Sequence, residues 1–411
     1  MEKNQVKKIF FFWILASFSF VLVAFVDRRT GLYTIQILAQ ILCAALFVLR
    51  YNSLDSIGRS LLIVFFFCFA QMFINPSFFR MSTCAYTFLF FVSFIVYRQL
   101  LREGVVTYEA FLYWLKIALI LYSSVLFIQQ IQSLTGMPVF NLRSNLISKF
   151  KLNSLTSEPS NLAIVVPAYF FTYIKMREIQ YHRKYNITAD IKSDLLVWFL
   201  FFYTSFSCGS MSAFFAAAVI LMYFINKNNF KYVAITIASF MVILPLFAYF
   251  QIFNFDRLEA FLQALFAFNP ISLINIDPSS ACRIIPYYIY VQSIDPFDWR
   301  FWLGHGIDQA ENASRFLILT TKYNMETVDL TRNIGAINIT SFFYDYGFFA
   351  AVFFLTALKK SITKKWLSYE MFFYIAVFSI VAMNHRVLWL FLMLMTTVSY
   401  FKSKSGFYAN K

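Results

Sequence analysis

The stretch IFFFWILASFSFVLVAFV, Ile9 to Val26, contains no charged residue and is apolar or aromatic on every side. A helix needs roughly 20 such residues to cross about 30 Å of hydrocarbon, so this run is close to one bilayer crossing. Lys3, Lys7 and Lys8 precede it, as in the basic start of a signal peptide, but no small-x-small cleavage site follows. The segment is therefore expected to stay as an uncleaved anchor.

The same pattern recurs along the chain. Candidate spans follow at Gly31 to Leu49, Leu61 to Ile74, Met81 to Tyr97, Ala110 to Ile131, Leu162 to Ile174, Leu195 to Cys208, Met211 to Ile225, Tyr232 to Gln251, Ser341 to Leu358, Phe372 to Met383 and Val387 to Phe401. Residues 1–411 thus read as a single membrane domain: an all-α, polytopic integral membrane protein with about 12 transmembrane helices. Composition agrees, because the chain is 60% hydrophobic and a soluble domain would be closer to about 45–50%.

The net charge of +15 does not point to nucleic acid, since no basic stripe is interleaved with surface aromatics. The basic residues fall instead in alternate connectors: Arg50 and Arg59, Arg98 and Arg102, Lys175 to Lys192, Lys227 and Lys231, Lys359 to Lys365, and Lys402 to Lys411. The positive-inside rule then puts both termini in the cytoplasm. The five cysteines show no paired spacing and the three histidines stand apart, so neither a disulfide framework nor a metal or other cofactor is expected.

Two connectors on the outer side are long, residues 132–161 and 252–340, and the second, large extracytoplasmic loop lies between the ninth and tenth spans. Leu258, Phe261, Leu262, Leu265 and Phe266 follow Asp256 at helical spacing, which predicts an amphipathic surface helix and a partly helical loop. No ATP is available outside the cytoplasm, so chemistry there requires an already activated substrate, and a lipid-linked diphosphate is one. Arginine forks and helix N-termini bind such phosphates.

Several residues could serve. Arg283 follows the turn signal DPSSAC with Tyr287 and Tyr290 behind it at helical spacing; it would face a site or snorkel to lipid phosphates. Arg143 and Arg300 are further loop arginines. Glu158, in TSEPSNLA, opens a span: it either complements the helix dipole or stands beside a sugar hydroxyl as proton acceptor or hydrogen-bond partner. His305, held between Gly304 and Gly306 in LGHGID, reads as a structural turn residue, a substrate contact or a base. Lys116 and Asp345 are ionisable residues inside spans, placed near their ends.

The order of SEPSNLA, then SSACRIIPYYIY and WRFWLGHGID in a large outer loop, then SFFYDYGFFAAVFF re-entering the membrane, resembles the Wzy-type polymerases of bacterial O-antigen and capsular polysaccharide. The resemblance covers the architecture of the whole chain, and the arginine followed some twenty residues later by Gly-His-Gly is its most specific element. It implies metal-independent glycosyl transfer between undecaprenyl-diphosphate-linked glycans at the outer face of the bacterial inner membrane. Its implied partners are membrane lipids, a chain-length regulator and a flippase, with no nucleic acid. By the same resemblance Arg283 would serve the diphosphate leaving group, Glu158 would match the glutamate of the family's EPS-like motif, and Gly304, His305 and Gly306 would match its Gly-x-Gly turn. The related O-antigen ligases show an arginine and a His-Asn pair where this chain has GSMSAF and GAINITSFF. A transporter is the alternative of another class, echoed by LDSIGRS at Leu54 to Ser60.

Overall fold

A computed structural model describes residues 3–22, 34–51, 54–74, 81–142, 152–208, 210–225, 294–306, 309, 338–363, 365–378, 381 and 385–405. It is mostly helical (79%), with no strands among the described residues. The helices are α1 (Lys3–Ser19), α2 (Thr34–Leu49), α3 (Ser56–Ile74), α4 (Met81–Arg102), α5 (Tyr108–Thr135), α6 (Pro159–Tyr181), α7 (Ile187–Asp190), α8 (Leu195–Ser207) and α9 (Met211–Tyr223). After the segment 226–293 come α10 (Trp299–Leu303), α11 (Asn338–Ile362), α12 (Tyr369–Phe373), which runs into a π-helical turn over Tyr374–Phe378, and α13 (Arg386–Lys404).

Each predicted span that reaches described residues has most of those residues on a helix; Tyr232 to Gln251 and the amphipathic helix after Asp256 lie outside them. By length and composition three helical stretches could cross a bilayer, Cys84–Arg102, Tyr108–Thr135 and Phe342–Ile362, and several shorter apolar helices accompany them. Rows of apolar side chains such as Tyr113, Ile120, Phe127 and Ile131 on α5 face outward, a surface suited to hydrocarbon rather than water.

α6 and α13 form the centre, and nearly every residue of each is buried. That all-round burial explains their uniformly apolar middles, since no face has to meet water. α6 packs on α5, α8, α9 and α13; α13 also packs on α1, α4 and α11. Helix ends follow local chemistry. The Thr107 side chain accepts from Ala110 N–H to start α5, and Gly136, at φ 74°, turns its N–H back to Gln132 O to stop it. Pro159 occupies the first turn of α6, where its missing N–H costs nothing.

Several boundaries differ from the predicted spans. α1 stops at Ser19 rather than Val26: the Ser17 and Ser19 hydroxyls bond back to Ile14 O and Leu15 O, and Val21 N–H leaves for Leu155 O at 2.8 Å. α6 extends through Lys175, Arg177 and Glu178 to Tyr181, because these charged groups are paired within the protein and need no connector. For the same reason Arg98 and Arg102, both paired with Asp55, lie on α4, and α13 likewise continues through Lys402 and Lys404. The first long loop is correspondingly shorter, from Gly136 to Glu158.

Ion pairs gather at one end of the helices. Lys7 and Arg50 meet Glu103; Asp55 takes Arg98 at 2.7 Å and also Arg102; Lys175 joins Glu178 at 3.1 Å and Glu370 at 2.8 Å; Arg177 joins Asp194 and Arg183 joins Asp190. The start of α1 and the finish of α13 lie at this same end, with Lys404 grouped with Tyr108 and His182 around an open groove. We call it the paired end.

Candidate functional site

At the opposite end the chain between α5 and α6 is bound by neutral groups. Gln129, fully buried on α5, donates to Phe140 O at 2.7 Å and accepts from Ser154 N–H at 2.8 Å. The Ser154 hydroxyl donates to Tyr122 O at 2.6 Å. Asn141 Nδ2 donates to Ser154 O and Val21 O, and Asn153 Nδ2 donates to Asn141 O. Asn141 and Ser154 both adopt positive φ, 57° and 49°, which suits the short polar side chains found there. A buried main-chain group without a partner would cost about 1–3 kcal/mol, so these amides and hydroxyls are what let residues 152–157 lie buried.

Glu158 follows that buried run and is exposed. Its backbone is extended (φ −152°, ψ 153°) and occupies the N-cap position of α6, yet the carboxylate makes no capping hydrogen bond; it accepts from Ser160 Oγ at 3.3 Å. The carboxylate therefore stands at the head of the central helix without being used to cap it.

The second cluster is the Gly-His-Gly turn. Asp298 caps α10 by accepting from Arg300 N–H at 2.9 Å, and its carboxylate also holds Arg300 Nε at 2.9 Å. The chain then docks on α11 where that helix is broken: Gly347 sits at φ 80°, ψ 172°, inside an otherwise helical run. The break leaves carbonyls without helical donors, and the turn supplies donors, His305 N–H to Tyr344 O at 2.9 Å and Gly306 N–H to Asp345 O at 3.0 Å. The contact is backbone on backbone. A Cβ on Gly304 would fall 2.6 Å from Tyr346 C, and one on Gly347 would fall 2.6 Å from Leu303 C.

The His305 ring stacks on Tyr344 at 3.9 Å, with Nδ1 3.0 Å from Tyr344 O. A carbonyl oxygen only accepts, so in this pairing Nδ1 carries the proton and Nε2 is the acceptor nitrogen of the neutral ring. Burial, opposed by the Tyr344 carbonyl and aided by the Arg300 charge, lowers the imidazole pKa. The neutral form is thereby favoured. Among the described residues, Asp298 and Arg300 are charged groups that act on it.

The structure thus joins Arg300, Gly304, His305 and Gly306 on α11. Glu158 stands at the same end in its own cluster: α6 and α11 run in the same direction, since Lys175, late in α6, pairs with Glu370 just after α11. Arg283, Tyr287 and Arg143 lie outside the described residues. Of the ionisable span residues, Lys116 Nζ lies 5.6 Å from the Tyr173 ring centroid, and Asp345 is buried at the α11 break. Tyr344 and Gly347 were not singled out in the sequence. The signal for Gly347 is a glycine interrupting the apolar run of FFYDYGFF. Gln129, Asn141 and Asn153 carry no sequence signal of their own.

Compared with protein-family models, curated proteins and solved structures, the chain has no match.

Proposed function

We propose that the protein is a polysaccharide polymerase of the bacterial cytoplasmic membrane, joining undecaprenyl-diphosphate-linked repeat units of an O-antigen or capsule at the outer face. In this reading there are about 12 spans, both termini are cytoplasmic and the paired end faces the cytoplasm. The observation that carries the reading is Glu158: an exposed carboxylate, not spent on capping, next to a buried neutral network at the end opposite the ion pairs of the paired end.

Glu158 accepts a proton from, or orients, the acceptor sugar hydroxyl. Arg283 stabilises the negative charge that builds on the departing diphosphate, which a guanidinium does without a metal. Tyr287, Arg143 and Arg300 contribute to the same substrate. Arg300 is held by Asp298, so a phosphate would have to take over part of that pairing. In this reading the Gly304–Gly306 turn sets His305 at the site as a substrate contact.

The test is deletion of the gene in its host followed by gel separation of the surface glycan. Loss of the ladder with a single repeat unit still attached to its anchor supports polymerisation. Full-length lipid-linked chains that never reach the anchor would make the protein a ligase, and absence of any repeat unit at the outer face would make it a transporter. On complementation, Arg283→Ala is expected to abolish chain growth and Arg283→Lys to restore little, because a point charge does not reproduce a bidentate fork.

A further inference from the structure

At the paired end the cations of the ion pairs named above have carboxylates, whereas others do not, and three of those fall around the connection from α11 to α12. α11 finishes on Lys359 and Lys360, and the chain reaches α12 through Lys365, Trp366 and Leu367. Among the described residues no carboxylate pairs with Lys359, Lys360 or Lys365. Glu370, the next acidic side chain along the chain, is already bound to Lys175. Lys359 Nζ lies 5.1 Å from the Trp366 ring centroid, and Lys402 of α13 is within electrostatic reach of Lys365. Lys360, Lys365 and Trp366 are exposed, and Leu367 is 100% exposed.

This combination is unfavourable in either bulk phase. Water leaves a tryptophan and a leucine unburied, whereas hydrocarbon leaves several cations uncompensated. The boundary layer of a bilayer satisfies both, since indole rings settle at headgroup level, aliphatic side chains enter the acyl region and lysines meet phosphate. We propose that the α11–α12 connection is a docking site for anionic phospholipid headgroups in the leaflet at the paired end, with the lysines supplying charge and Trp366 and Leu367 supplying insertion. The site does not depend on the reaction proposed above.

The test uses the full-length protein in nanodiscs and in detergent. Phosphatidylglycerol is expected to be retained over phosphatidylcholine, with the preference weakening as salt rises. Combining Lys359→Gln, Lys360→Gln and Lys365→Gln should reduce phosphatidylglycerol retention by roughly a hundredfold, taking about fivefold per lysine near an anionic surface. Should that variant fail to fold, brominated phosphatidylglycerol gives an independent reading: it should quench a fluorescence component of the wild type that is missing in Trp366→Phe. Equal retention of both lipids, or a quenching profile unchanged by Trp366→Phe, overturns the proposal. So does a soluble acidic peptide that displaces phosphatidylglycerol from the wild type, which would make the partner a protein.

Discussion

The two ends of the helix assembly solve the same problem with different materials. At the paired end, buried and half-buried polar groups are held by full charges, as in the junction of Lys175 with Glu178, Glu370 and the Tyr223 hydroxyl. At the other, amides, hydroxyls and main-chain groups do most of the work, from Gln129 and Asn141 to the Gly304 turn, with the exposed Asp298–Arg300 pair beside them. A paired charge is committed to its partner. A neutral scaffold leaves a charge such as Glu158 without an ion-pair partner among the described residues, and such a charge is what a ligand can meet.

The contrast can be broken by substitution. The largest effect should come from Lys175→Ala, which strands two carboxylates in a buried junction; a loss of about 3–5 kcal/mol is expected, read as a lowered unfolding midpoint in detergent. A small loss there, with full recovery unnecessary on adding Glu370→Gln, would mean that the charges at this end are solvated rather than structural.

Next in size is Gly304→Ala, where both a positive φ of 92° and the approach of Tyr346 oppose a side chain. A loss of about 2–3 kcal/mol is expected. Gly104→Ala is its control at the paired end: its φ is 70° but nothing lies within 4 Å of an added Cβ, so only the backbone cost of about 1 kcal/mol should appear. Equal losses at the two positions would show that the turn on α11 is not tightly seated.

Acid should weaken the paired end first. Burial raises the carboxyl pKa of Asp55, but Arg98, the Gly58 N–H and Arg102 outweigh it and hold the group well below the carboxylate range. Asp190 is lowered likewise, with Arg183 and the Asn186 N–H overcoming burial. A depressed folded-state pKa contributes stability above the ordinary carboxylate value and loses it as pH falls toward the lowered one. The unfolding midpoint should therefore fall as pH drops below about 4, and Asp55→Asn should flatten that slope.

The smallest effect on stability belongs to Glu158→Gln. The side chain is exposed and caps nothing, so a change within about 0.5 kcal/mol is expected. Glycan chain growth, by contrast, should fall sharply in the same variant if the carboxylate takes the proton.

Long apolar runs made the helices legible because burial or lipid contact on all sides leaves nothing else for such a sequence to do. Their ends were less legible. Charged residues were read as connectors, yet Arg98, Lys175 and Glu178 continue their helices because partners arrive from helices distant in sequence, which spacing alone does not reveal. At the candidate site, Glu158 and the Gly-His-Gly turn were visible as residues. Their supports were not: Gln129 and Asn141 look like ordinary polar residues until the chain folds back on them, and Tyr344 takes part with its ring but also through its carbonyl, an atom every residue has.

That last point has a consequence for how such a joint can change over generations. The seam between the 304–306 turn and α11 uses main-chain atoms on both sides, with a glycine at each closest approach. Its main-chain part is specified by two missing side chains and a local chain path, while the His305–Tyr344 stack and the packing of Phe301 and Trp302 on Phe348 close rings around it. The rings could be exchanged for others of similar shape, whereas a single added methyl group at either glycine would push the two chains apart.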